Sequence, residues 1–373
     1  MSSAITPITM PKWGLTMTEG KVVGWLKREG QDFAPGEEIL EIETTKITNT
    51  IEASEAGTLR RIVASPGATL PVGALLAVVA PQTVSDAEIE AFVAEFAVVE
   101  PAAADGAQAE IAAPREIDAG GRRLRYLEMG EGAGTPIVMI HGFGADLNSW
   151  MFTQPALSED RRTIALDLPG HGGSIKDVGA GDPDTLADVF RAAQQALGIK
   201  RAHLVGHSMG GAIAALAALR HPEHAASLTL IASAGLGREI NAGFIEGFIG
   251  AKRRREATQV LGELVHDPAL ISRAMVEDML RYKRLDGVEA ALTTIARAWF
   301  AEGQQHLELA GPLAELTIPA QVIWGREDRI LPVAQAEAMA ARFPVHILGG
   351  AGHLPHMEKA AEVNRLIRQF VEN

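Results

Sequence analysis

Gly206-His207-Ser208-Met209-Gly210 is the stretch on which the reading of this chain turns. It has the form G-x-S-x-G, with an apolar run at 202–205 before it and an alanine-rich segment at 210–220 after it. Small residues around a serine, between a strand and a helix, suit a strained turn that lifts the hydroxyl out of a sheet. Such a hydroxyl becomes a nucleophile when a base and an orienting acid accompany it. Both follow, in the order Ser, Asp, His. Trp324-Gly325-Arg326-Glu327-Asp328 places an acid just after a strand-like run, and Gly349-Gly350-Ala351-Gly352-His353 places a histidine in a glycine-rich loop after the next. A neutral His353 would accept the Ser208 proton, while Asp328 would orient the ring and stabilise its cation. Glu327 is the rival acid, otherwise a solvated neighbour. His356 reads as structural.

Acyl chemistry also needs donors for a developing oxyanion. The run 137–140 leads into His141-Gly142-Phe143-Gly144, a turn that suits the backbone amide of Phe143 as one donor; the amide of Met209, next after the serine, supplies the other. His141 and His207 read as loop-shaping hydrogen-bond partners.

Outward from this motif, apolar runs of strand length recur at 137–140, 163–166, 203–205, 228–231, 321–324 and 345–348. Helical segments fall between several of them, near 184–197, 209–220, 333–342 and 358–371. Strand alternating with helix predicts a mostly parallel sheet covered by helices, over 116–373. The stretch 236–312 breaks the alternation, looks wholly helical, and is expected to form a cap over the carboxyl edge of the sheet.

Residues 1–80 have a different grammar: Gly, Val, Ile and Thr with turn signals at short intervals, which predicts an all-β domain. A repeat offset by 37 positions runs through it. Trp25-Leu26 matches Ile62-Val63, Gly30 matches Gly67, Phe33 matches Leu70, Gly36 matches Gly73 and Ile39 matches Leu76. Two similar β units sharing one core are implied. Glu43-Thr44-Thr45-Lys46-Ile47-Thr48 joins the halves and reads as an exposed hairpin tip presenting Lys46. In 81–115, Ser85-Asp86-Ala87-Glu88 has the form of a capping box opening a short helix over 86–97, able to pack on either domain. The Ala- and Pro-rich 100–114 reads as a linker, about 45 Å long if extended.

Composition narrows the classes further. With 47% hydrophobic residues the chain can bury a sizeable core, and a net charge of −13 argues against sequence-independent nucleic-acid binding. Cysteine is absent, excluding disulfides, thiolate metal sites and a cysteine nucleophile; no metal site is indicated. The first residues carry neither a basic nor an apolar signal region, and the longest apolar stretches, 75–80 and 212–219, fall far short of the roughly 20 residues of a membrane span. A cytoplasmic protein without membrane contact is expected.

Residues 122–373 resemble the α/β-hydrolases of the esterase, acyl-hydrolase and C–C hydrolase group. The resemblance rests on the His-Gly motif at 141–142, Asp167-Leu168-Pro169-Gly170-His171-Gly172 and the Gly-His-Ser-Met-Gly-Gly elbow. Residues 5–80 are similar to lipoyl domains, flattened β-barrels of the lipoyl/biotinyl type. That similarity rests on Met10-Pro11-Lys12-Trp13-Gly14, Met17-Thr18-Glu19-Gly20, Pro35-Gly36 and Glu41-Ile42-Glu43-Thr44-Thr45-Lys46. It implies lipoate attached covalently to Lys46, although Thr45 stands where the family usually has Asp. Biotin carriers flank their lysine with methionines, which Thr45 and Ile47 do not match.

Together the two modules resemble the acyltransferase component of acetoin dehydrogenase complexes, dihydrolipoyllysine-residue acetyltransferases in which an α/β-hydrolase-like domain replaces the usual acyltransferase domain. The His-x-x-x-Asp-Gly motif of that usual domain is absent. The resemblance implies acetyl transfer from acetyl-dihydrolipoyl-lysine to coenzyme A. Its implied partners are thiamine-diphosphate-dependent acetoin dehydrogenase subunits, dihydrolipoamide dehydrogenase and a lipoate-attaching enzyme; self-association stays open. A thioesterase releasing acid to water, and a carrier or assembly subunit with an idle hydrolase domain, are the alternatives. Lys252-Arg253-Arg254-Arg255, inside the cap region, reads either as a contact for coenzyme A phosphates or as a solvated charged helix face.

Overall fold

The computed structural model describes residues 5–11, 19–43, 48–53, 56–98, 113–301 and 303–372. The chain divides into two compact units, one within the first 111 residues and the other formed by nearly all the rest.

The first unit is a flattened barrel of two four-stranded sheets. Its strands are β1 (Thr6–Thr9), β2 (Glu19–Trp25), β3 (Asp32–Phe33), β4 (Glu38–Glu43), β5 (Thr48–Glu52), β6 (Gly57–Ile62), β7 (Thr69–Pro71) and β8 (Leu75–Val79). They order as β1-β8-β6-β3 and β5-β4-β2-β7. Shifting by 37 residues carries β2 onto β6, β3 onto β7 and β4 onto β8, so the sequence repeat is a two-fold repetition of structure. The backbone obeys it in detail. Gly30 N donates to Leu59 O (2.6 Å), and its equivalent Gly67 N donates to Val22 O (2.7 Å). Leu26 N donates to Ile39 O (2.8 Å), and Val63 N to Leu76 O (2.9 Å). Gly30, Gly36, Gly67 and Gly73 have φ of 82°, 81°, 88° and 85°, a left-handed region that side chains with a Cβ resist. Val22, Leu40, Ile42, Leu59 and Leu76 fill the shared core.

Strands β4 and β5 pair antiparallel up to Glu43 opposite Thr48. The four residues between them, Thr44, Thr45, Lys46 and Ile47, lie outside the described residues, as do Lys12, Trp13, Met17 and most of 100–114. Helix α1 (Asp86–Val98) opens with the expected capping box: Glu88 N donates to Ser85 Oγ (3.3 Å), and Ser85 N donates to Glu88 Oε2 (2.9 Å). Ile89 packs with Leu75, Val78 and Val84, so this helix belongs to the β unit.

The second unit is built on an eight-stranded sheet of order β18-β17-β14-β13-β11-β12-β10-β9. Its members are β9 (Arg115–Asp118), β10 (Arg123–Met129), β11 (Ile137–Ile140), β12 (Thr163–Leu166), β13 (Ala202–His207), β14 (Ala225–Ile231), β17 (Ala320–Gly325) and β18 (Val345–Leu348). Six strands, β12, β11, β13, β14, β17 and the edge strand β18, run parallel, and the first five are largely buried apolar runs. The antiparallel edge pair β9 and β10 was not expected from the sequence; its exposed arginines and glutamates mask the strand pattern. Helices α2 (Gln154–Ser158), α3 (Pro183–Ala196) and α4 (Met209–Arg220) lie between these strands.

Between β14 and β17 stand α5 (Ala242–Gly250), α6 (Arg254–Glu263), α7 (Arg273–Lys283), α8 (Val288–Trp299) and α9 (Ala310–Ala314). The expectation that 236–312 is wholly helical needs correction. A two-stranded ribbon, β15 (Phe300–Ala301) with β16 (Gln304–Gln305), sits inside it. Two-residue strands leave no periodicity to read. Near the end of the chain α10 (Ala334–Glu337) is shorter than the expected helix, and α11 (Pro355–Glu358) and α12 (Ala360–Glu372) complete the unit. No helix among the described residues is long and apolar enough to cross a membrane.

The two-fold repetition makes a test. Gly30 and Gly67 both face open space, so Ala at either position meets no clash and costs only the backbone penalty of about 1–2 kcal/mol. Gly30→Ala and Gly67→Ala are expected to lower amide exchange protection in the β unit by similar factors of about 10, leaving the second unit unaffected. Hydrogen exchange on the full chain reads this out.

Candidate active site

Ser208 sits where β13 ends and α4 begins, at φ 52° and ψ −118°, an outlier for a residue with a Cβ. Holding it there costs about 1–3 kcal/mol, and the surroundings enforce it. Ser208 N donates to Ile231 O (3.0 Å), while Ser208 O accepts from Gly211 N (2.9 Å) and Ala234 N (3.0 Å). The glycines are required sterically. A Cβ at Gly206 would stand 2.4 Å from Gly210 O, and one at Gly210 would stand 2.2 Å from Ile140 O. The motif's spacing therefore records how tightly α4 closes onto β11 and β13.

The acid and base come from the ends of β17 and β18. Asp328 Oδ2 accepts from His353 Nδ1 at 2.8 Å, and both side chains are buried. Asp328 Oδ1 accepts from Ile330 N (2.8 Å) and Leu331 N (3.0 Å), which fixes the carboxylate. Glu327 has a different task from the solvated neighbour expected of it. Its Oε2 accepts from Gly350 N (2.9 Å) and Ala351 N (3.1 Å), shaping the glycine-rich loop that carries His353. Glu358 accepts from Gly352 N (2.8 Å) and, across to the segment after α6, from His266 N (2.6 Å). Burial raises its carboxyl above the usual range, against the lowering effect of those amides. His353 N itself donates to Leu264 O (2.8 Å).

Sequence reasoning missed Glu358 and the Leu264 carbonyl. Their signal is tertiary, because they act on the loop backbone.

The turn after β11 comes against the serine. A Cβ on Gly142 would lie 3.1 Å from Ser208 Cβ, so only glycine lets this turn approach. No protein acceptor among the described residues engages the amides of Phe143 and Met209, the arrangement required of oxyanion donors. Phe248 of α5 packs edge-on to Phe143 (5.9 Å between centroids) and against Gly144, closing an apolar wall over this turn. Lys283 of α7 holds that wall by donating to Phe248 O (2.6 Å) and Ile249 O (2.9 Å) at the end of α5.

Four further imidazoles are buried around the site, and desolvation is the largest cause holding each below its ordinary value. His141 accepts from Leu168 N (3.0 Å) and shapes the turn. His171 donates to Pro169 O (2.9 Å) and falls to about 3. His207 donates from Nε2 to His353 O (2.8 Å). His356, also lowered to about 3, lies between His207 and Trp150 with both ring nitrogens unpaired. The hydroxyl of Ser208 and the ring of His353 are not joined by a hydrogen bond in this structure; such bonds commonly close only around substrate.

The basic cluster at 252–255 is engaged with its own neighbours. Arg254 pairs with Glu277 (2.6 Å) and Lys252 with Glu289 (3.6 Å). Glu256 Oε2 takes the amides of Lys252 and Arg253, which would otherwise face an anion at the start of α6. Among the described residues no group of histidines and carboxylates is arranged to hold a metal ion.

Comparison with known proteins agrees with both halves. The family model for the α/β hydrolase fold matches residues 135–360, and the model described as biotin-requiring enzyme matches residues 6–79. The chain is 46% identical over 369 residues to the dihydrolipoyllysine-residue acetyltransferase component of the acetoin cleaving system of Pseudomonas putida, spanning 99% of each protein. It is 43% identical over 371 residues to the protein of the same name from Cupriavidus necator, covering 100% of this chain and 98% of that one. Among solved structures, a meta-cleavage product hydrolase from Pseudomonas fluorescens superposes with a TM-score of 0.64 at 24% identity, covering 69% of this chain and 97% of that one; the likeness is one of fold.

The buried imidazoles predict an acid-sensitive core. Unfolded histidines bind protons below about pH 6.5, whereas folded His171 and His356 do so only near 3. Stability is therefore complete above about pH 6.5 and falls as acid is added through that window, by about 1.4 kcal/mol per pH unit for each such group. Denaturant midpoints between about pH 7 and about pH 4 are expected to drop steeply, and His356→Phe to make the slope shallower.

Proposed function

This chain belongs to the dihydrolipoyllysine-residue acetyltransferases, and from that premise we propose that it moves an acetyl group from acetyl-dihydrolipoyl-lysine to coenzyme A during acetoin cleavage, through an acyl-enzyme on Ser208. It is an acyltransferase; the acceptor, the route and the residues are the proposal. The observation that carries it is the buried His353–Asp328 pair beside a serine held in a strained turn, in a chain that also carries a lipoyl domain.

The lipoate would be held by Lys46, which lies among the four residues that separate Glu43 and Thr48, the last paired positions of β4 and β5. When bound there it supplies a thioester sulfur on a long arm. The remaining chemistry belongs to the protein's own residues. His353 Nε2 takes the Ser208 proton as Oγ adds to the acetyl carbonyl, and the amides of Phe143 and Met209 hold the oxyanion. His353 would then return the proton to the carrier sulfur as the acetyl group passes to Oγ. His353 next removes the proton of the coenzyme A thiol, whose sulfur attacks the acetyl ester. The C–Oγ bond breaks and Ser208 regains its proton. Asp328 fixes the ring and stabilises its cation in both halves. The apolar wall of Phe143 and Phe248 excludes water from the acyl-enzyme, where hydrolysis would waste the acetyl group.

The Ala- and Pro-rich sequence at 100–114 would make delivery intramolecular, at an effective concentration near millimolar. Dehydrogenase subunits dependent on thiamine diphosphate would load the acetyl group, dihydrolipoamide dehydrogenase would reoxidise the dithiol, and a lipoate-attaching enzyme would modify Lys46, all in the cytoplasm.

Purified lipoylated protein given acetyl-dihydrolipoamide and coenzyme A is expected to form acetyl-CoA, and Ser208→Ala to reduce this by at least about a thousandfold. Acetate formed without coenzyme A would favour a hydrolase instead, and activity indifferent to Ser208→Ala and His353→Ala would leave the chain a carrier. The acids separate as well. Asp328→Asn is expected to cost about ten-thousandfold in kcat by imposing the wrong tautomer on His353. Glu327→Gln, which keeps an acceptor for Gly350 and Ala351, should lose less than about tenfold.

A further inference from the structure

The side chain of His207 meets the loop of His353, His356 and the Gly142 turn. It immediately precedes the nucleophile on β13, and its Nε2 donates to the backbone carbonyl of His353 at 2.8 Å. Its ring stacks at a tilt on the ring of His353 (centroids 4.8 Å). Its other edge abuts the oxyanion turn: a Cβ built on Gly142 would lie 2.9 Å from His207 Nδ1 and 3.1 Å from Ser208 Cβ. Behind it, His356 of α11 packs at 4.5 Å, and Trp150 backs His356 at 4.8 Å. A row of buried rings thus runs from His353 through His207 and His356 to Trp150, with His207 at the junction of nucleophile, base loop and oxyanion turn.

We propose that His207 is a positioning residue: its Nε2–H bond to the His353 carbonyl sets where the base loop stands relative to the Ser208 elbow. The proposal rests on the reading of Ser208 as nucleophile and His353 as base. No direct hydrogen bond joins those two side chains, so their separation is governed by their backbones, and His207 is the side chain that links the two backbones. The bond also fixes a tautomer. With the proton on Nε2, Nδ1 stays bare, buried and unpaired beside Gly142, where a second N–H would meet no acceptor. Desolvation, reinforced by His356 and His353, keeps the ring neutral, so the link persists while His353 gains and loses its proton.

His207→Gln keeps an amide donor near the position of Nε2, whereas His207→Leu keeps comparable volume and removes the donor. On the full lipoylated chain, two quantities are measured: steady-state acetyl transfer to coenzyme A, and the rate at which a fluorophosphonate labels Ser208. His207→Leu is expected to lower kcat and the labelling rate together by about 100-fold, with KM for coenzyme A little changed, and His207→Gln to recover both to within about tenfold of the starting protein. A folded Leu variant that turns over and labels like the starting protein overturns the proposal. So does a folded Gln variant as impaired as Leu. Where Leu does not fold, imidazole nitrogen resonances of the unaltered protein carry the test: His207 must be an Nε2–H tautomer from about pH 5 to about pH 9, and an Nδ1–H tautomer or a titrating ring overturns it. Failure of the fluorophosphonate to distinguish the unaltered protein from Ser208→Ala would instead strike at the nucleophile assignment.

Discussion

The second unit is organised around a single strained residue. Ser208 is held at φ 52° by hydrogen bonds from β14 and from the first turn of α4, and by glycines that let β11 and α4 approach closely. Relaxing the serine would need β13 to end differently, and its register with both neighbours would then shift. Ala232, also at positive φ (42°), lies in the adjoining exit from β14, so two neighbouring strand ends share the strain. That cost is offset by the apolar core beneath, where Leu204, Leu228, Leu230, Ile213 and Val322 are fully buried.

Around that turn the molecule keeps its charges few and fixed. Asp328 is saturated by one imidazole and two amides, and Asp167, equally buried, is met by Arg125 together with the amides of Leu147 and Gly173 (each 2.7 Å). The imidazoles nearby are neutral because burial makes their cations costly. Among these rings, His353 is the one hydrogen-bonded to a carboxylate, that of Asp328. The carboxylates Glu327 and Glu358 accept from backbone amides of the loop that carries His353, and so shape it.

The β unit solves a different problem. It builds one core from two halves, through equivalent strands, equivalent left-handed glycines and equivalent cross-bonds.

Much of this was legible in the residues alone. The 37-residue offset gave the two-fold barrel, because an interior that repeats must use the same residue types twice. Strands β11, β12, β13, β14, β17 and β18 were readable from their apolar runs, because strands of a parallel sheet are built mostly from apolar residues. The motif spacing singled out Ser208, Asp328 and His353, and the structure pairs Asp328 with His353 and holds Ser208 in a strained turn. Other features left no local mark. The edge strands β9 and β10 and the ribbon β15–β16 are defined by partners distant in sequence. The work of Glu327 and Glu358, and of His207 at His353's carbonyl, consists of hydrogen bonds to backbone, and a backbone acceptor has no letter in a sequence. Residue order thus decided which groups are present and which fold they specify. Only tertiary packing decided which imidazole meets the carboxylate, since that choice is made by a few ångströms between loops that the chain brings together from 25 to 146 residues apart.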